Sequence, residues 1–71
     1  MSQNAEKFAA QKANCVWISE KAKELESLLS YDSTQMLAAN KTRALSAAKT
    51  MLDALEELIR FIQAEAPDDA V

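Results

Sequence analysis

No glycine occurs anywhere in this 71-residue chain, and its single proline stands at position 67. Tight hairpin turns need positive-φ positions, which glycine and asparagine supply most readily. A chain lacking both Gly and Pro before position 67 therefore has little turn chemistry for a sheet-rich fold. Long helices with very few breaks fit it better. At 49% hydrophobic residues and a net charge of -3, it is too apolar and too nearly neutral for a disordered segment. The lone cysteine cannot close a disulfide within one chain. The length allows a single domain, residues 1–71, and the expected class is all-α.

Apolar spacing places the elements. Phe8, Cys15, Ala22 and Leu29 recur at steps of seven, and Ile18 and Leu25 fill the alternate spacing, with Gln11 as one polar member. This stripe predicts a first helix over about 3–30, with Cys15 in its core as a small hydrophobe rather than an activated nucleophile. Asp32-Ser33-Thr34-Gln35 reads as a capping box, with Asp32 at the N-cap and Gln35 reaching back from the third helical position. Tyr31 and Met36 then occupy the positions of a hydrophobic staple. A turn of about 30–32 leads to a second helix over about 33–65, which Pro67 prevents from continuing, and 66–71 is expected to fray. So short a connection folds the helices back as an antiparallel αα-hairpin.

The second helix is apolar over far more of its circumference than one neighbour can cover. Leu37, Ala44, Met51 and Leu58 form one series, and Ala48, Leu55 and Ile62 its partner. Leu45, Leu52 and Ile59 add a flank on one side, and Ala47, Ala54 and Phe61 a flank on the other. The arc spans roughly 220°. On the first helix, Trp17 lies well off the stripe, about 125° from its centre, beside Ala10, Ala13 and Val16. One seam in a chain of this size rarely yields more than about 3–5 kcal/mol. Pairing two hairpins into a four-helix bundle would bury the wide arc, so a homodimer is expected. The candidate partner or dimer interface is Ala10, Ala13, Trp17, Leu45, Leu52, Ile59, Ala47, Ala54 and Phe61.

Catalytic chemistry is hard to assemble from these residues. Without histidine there is no imidazole base, no Ser-His or Cys-His dyad and no Glu-x-x-His metal motif. Without glycine there is no phosphate-cradling loop. No enzyme activity, cofactor or metal is expected, and Asp53, Glu56 and Glu57 read as a solvated acidic face. The negative excess lies in residues 32–71, and the first-helix lysines scatter around the cylinder, so no nucleic acid is expected as a partner. Neither polar face is basic enough for a membrane surface, and the opening residues lack the pattern of a signal peptide. An unpaired thiol and these features predict a cytoplasmic protein.

What remains is binding another protein. The hairpin is similar in architecture alone to the plasmid copy-number regulators that clamp RNA loop pairs. Asp32-Ser33-Thr34-Gln35 followed by Arg43-Ala44-Leu45 resembles the small co-chaperones of type III secretion needles. Trp17 with Asp32-Ser33-Thr34 resembles phage-encoded hairpin inhibitors of host regulators. Both resemblances cover the hairpin and carry over no binding site. They imply a regulator or inhibitor that occludes another protein's surface, or alternatively a chaperone or adaptor for a self-assembling partner, with a structural assembly subunit third.

Overall fold

The computed structural model of the chain describes residues 2–66, and all of its regular structure is helical. Helix α1 spans Ser2–Leu29, α2 spans Thr34–Ala39 and α3 spans Lys41–Glu65. The long helix α1 packs along α3, and α2 bridges them. Contacts near the ends give the sense of packing: Phe8 meets Phe61 and Lys7 meets Glu65, while Glu24 meets Arg43 far along the pair. The two long helices are therefore antiparallel.

The reversal between α1 and α2 is made without glycine. The last turn of α1 is closed by Ser30, whose N–H donates to the Glu26 carbonyl at 3.0 Å and whose hydroxyl donates to the Ser27 carbonyl at 2.7 Å. Asp32 then takes a left-handed backbone, φ 49°. Aspartate is among the few residues that tolerate this region, because its short polar side chain can bond locally. Ser33 follows in extended conformation, φ -134° and ψ 118°, and its hydroxyl accepts from the Met36 N–H at 3.1 Å.

That geometry corrects the expected capping box. An N-cap needs an extended backbone, and Asp32 has given its backbone to the turn. The cap moves one residue on, to Ser33. Gln35 is then one position short of the reach-back site, and Tyr31 and Met36 are no longer in staple register.

The single helix expected over 33–65 is also interrupted. Asn40 sits at φ -111°, ψ 23°, and its Nδ2 donates to the Met36 carbonyl at 2.9 Å. An asparagine amide competes for backbone groups in this way, which is why it is a poor helix-interior residue. Its own N–H is shared between the carbonyls of Met36 and Leu37, and its carbonyl accepts from Ala44 N–H at 2.9 Å. The hydrogen-bonded path thus crosses the break. At the far end Ala66 turns extended, φ -91° and ψ 131°, as a residue preceding proline must. The tail expected beyond it, from Pro67 onward, lies outside the described residues.

Little of the pair is buried. Leu28, Ala47 and Ala54 are the only buried side chains among the described residues, at 8%, 3% and 6% exposure. Replacing Ser33 with Ala should cost about 0.5–2 kcal/mol, the usual loss of an N-cap. Asp32→Gly should leave stability unchanged or raise it, because glycine relieves the left-handed backbone. Urea denaturation of the two variants checks both; a larger loss for Asp32→Gly would restore Asp32 as the cap.

Candidate functional site

The contact between the long helices follows an alternating three- and four-residue repeat on each. On α3 it runs through Ala44, Ala47, Met51, Ala54, Leu58 and Phe61, all buried or half-buried. On α1 it runs through Gln11, Asn14, Ile18, Lys21, Leu25 and Leu28, all likewise withdrawn from solvent. Alanine at the centre of α3 lets the backbones approach closely, and half of the α1 contribution is polar. The rings of Phe8 and Phe61 close one end edge to face, with centroids 5.3 Å apart.

The seam is rotated from the expected stripe by about 50° on each helical wheel. On α1, Ile18 and Leu25 keep their place in the contact, but Cys15, Ala22 and Leu29 swing out and are exposed. Cys15 is therefore a surface residue of this fold and not a core hydrophobe. On α3, Ala48, Leu55 and Ile62 swing out as well. Because the helices are antiparallel, both rotations carry these residues to the same side of the pair. The two apolar stripes open together onto one face, bordered by Leu45, Leu52 and Ile59, each more than half exposed.

The candidate interface residues divide three ways. Ala47, Ala54 and Phe61, expected on an outer flank, form the inner seam against α1. Leu45, Leu52 and Ile59 stand on the open apolar face. Trp17 lies on the opposite side, beside Asn14, Thr50, Asp53, Ala54 and Glu57 around an open cleft of about 270 Å³. Trp17 is 44% exposed, and Lys21 Nζ sits 4.7 Å from the ring centroid, a cation–π contact. Ala10 and Ala13 are exposed beside it in sequence but are not among the residues lining the cleft. The structure thus separates Trp17 from the leucines with which the sequence had grouped it.

Polar residues that the apolar pattern passed over organise the Trp17 side. Arg43 Nε donates to Glu24 Oε2 at 2.8 Å, and Lys21 Nζ lies 3.5 Å from Glu24 Oε1. Gln11 Nε2 donates to Glu57 Oε2 at 3.4 Å, and Gln11 Oε1 accepts from Asn14 Nδ2 at 3.0 Å. Lys7 pairs with Glu65 at 3.1 Å near the end. The signal for these pairs was available in the spacing: Gln11, Asn14 and Lys21 share the seam repeat with Ile18, Leu25 and Leu28. The hydrogen bond from Arg43, with the nearby Lys21 charge, holds the Glu24 carboxyl below the usual glutamate value. Its contribution is full above the ordinary glutamate range and fades as pH falls through the lowered value. An NMR titration of the Glu24 carboxyl should show a midpoint below the usual glutamate value, and Arg43→Ala should raise it. An unshifted midpoint in the unmodified chain would mean the ion pair does not persist in solution.

Among the described residues no group of three or more His, Cys, Asp or Glu side chains could hold a metal ion. No helix among them is long and apolar enough to cross a membrane. What this arrangement offers chemically is surface: one apolar face and, behind it, a polar cleft with a half-exposed indole. No protein-family model matches the chain, and neither a curated protein nor a solved structure matches it.

Proposed function

We propose that this chain is a small cytoplasmic, non-enzymatic binding module that regulates another protein by covering part of its surface. In this reading the helices form a hairpin that pairs with a second copy into a four-helix bundle. The observation that carries it is the distribution of apolar side chains. Twelve large ones are exposed, while the buried set among the described residues is Leu28 and two alanines. Contiguous exposed apolar surface on a small protein marks an interaction site more often than any other use. Trp17 adds an aromatic anchor on a different side, and tryptophan is the residue most enriched at interface hot spots.

Inhibition by occlusion is the first form of this function. An adaptor or chaperone holding a self-assembling partner is the alternative, and the captured partner's own assembly behaviour tells them apart. The experiment is affinity capture from the organism that encodes the chain, followed by mass spectrometry and affinity measurement with the recovered partner. A defined protein should be retained, and Trp17→Ala should weaken it by at least ~2 kcal/mol, about 30-fold, with little change in stability. Indole emission of the free protein should be that of a solvent-exposed ring, quenched by iodide and shifted when the partner binds. Retention of RNA alone, or of no macromolecule, would overturn the binding-module reading. A full-strength complex with Trp17→Ala would remove the indole from the contact.

A further inference from the structure

We propose that the second copy covers one particular surface, the apolar face formed by Phe8, Cys15, Ala22 and Leu29 of α1 with the exposed leucines and isoleucines of α3, and that the Trp17 cleft stays outside this contact. The inference rests on the reading that the chain pairs with itself, and adds which face does so.

Area is the first argument. The chain exposes 5697 Å², whereas a compact monomer of its 7.8 kDa mass should expose about 4,400 Å². The excess, about 1,300 Å², exceeds the roughly 800 Å² that each partner buries in a standard interface. The shortest dimension is 17 Å, little more than one layer of helices. Stable domains need two layers around a core. A second copy supplies the missing one.

Periodicity identifies the shape of what fits. Leu45, Ala48, Leu52, Leu55, Ile59 and Ile62 repeat at alternating three- and four-residue steps along the outer side of α3. This is a second seam, one residue on from the inner one, and a heptad seam is filled by another helix. The face also complements itself. Its α3 half carries large side chains at every position but Ala48, and the middle of its α1 half carries small ones, Cys15 and Ala22. Knobs and holes are thus both present in one copy, as a two-fold interface requires. The rims are charge-balanced too. Lys12 and Glu26 border the α1 side, and Lys49 and Glu56 the α3 side, all exposed. A copy brings both signs to each rim, whereas a strongly charged partner would meet repulsion on half of it.

Sedimentation equilibrium of the purified full chain at tens of micromolar should report twice 7.8 kDa. Leu52→Lys with Ile59→Lys should raise the dimer dissociation constant by at least about 100-fold, because it places unpaired charges in the seam. Trp17→Ala should leave it within about threefold, since that side chain lies on the other side of the pair. Cys15 keeps the test valid where the lysine variant fails to fold. It is exposed in the single chain and lies under the proposed contact, so its reaction with a thiol reagent should slow about tenfold or more as the unmodified protein is concentrated. A dimer that survives the paired lysines but is lost with Trp17→Ala, or one whose Cys15 reacts at the monomer rate, would overturn the face assignment while leaving self-pairing intact. A helical monomer at the highest concentrations would overturn both.

Discussion

Two alanines decide the geometry of this molecule. Ala47 and Ala54 are the most buried of the described residues, and both lie where α3 meets α1. Small side chains at the closest approach let the backbones come together with little apolar volume between them. Leu28, Ile18 and Leu25 then share the α1 side with Gln11, Asn14 and Lys21. A seam of this composition excludes little water. Its directional contacts, the Arg43–Glu24 ion pair and the Gln11–Glu57 hydrogen bond among them, set register more than they supply stability, because exposed polar contacts gain little over solvation by water.

The rotation of the helices follows from the same choice. Had Cys15 and Ala22 met Leu55 and Ile62 directly, the apolar flanks of α3 would have been left on both sides of the seam. With alanine inward, the larger side chains of α3 turn to the side, and those of α1 turn to the same side. The product is an unfinished layer, apolar on one face and charged on the other. Trp17 belongs to the charged side, where Lys21 lies against its ring and Asp53 and Glu57 line the adjoining cleft.

The helical class was legible in the sequence, because the absence of glycine removes the alternatives. The turn was legible to within one residue. Asp32 and Ser33 are both good N-caps, and sequence spacing does not say which of two adjacent polar residues spends its backbone on the reversal. The left-handed φ of Asp32 settles it. The break at Asn40 was passed over because the apolar series on either side keep their phase through it. Which face of α3 turns inward was not legible, because four neighbouring apolar series offer nearly equal candidates. On the other helix only Gln11 reaches across, donating to Glu57, while Asn14 and Lys21 find their partners within α1. The candidate residues are accordingly split: Leu45, Leu52 and Ile59 are exposed, and Ala47, Ala54 and Phe61, expected on the opposite flank, lie at the inner contact.

The contrast between the polar seam and the apolar face has a consequence for how dissolved salt acts on the molecule. Ion pairs such as Lys7–Glu65 and Arg43–Glu24 are exposed on at least one partner, and added salt weakens exposed pairs of this kind. Apolar association responds in the opposite sense, since excluded salts such as sulfate strengthen burial. Raising sulfate therefore loosens what aligns α1 with α3 within one chain while increasing the tendency of the open face to be covered. The ionic medium becomes a control on the balance between the isolated pair of helices and whatever larger body its apolar side enters.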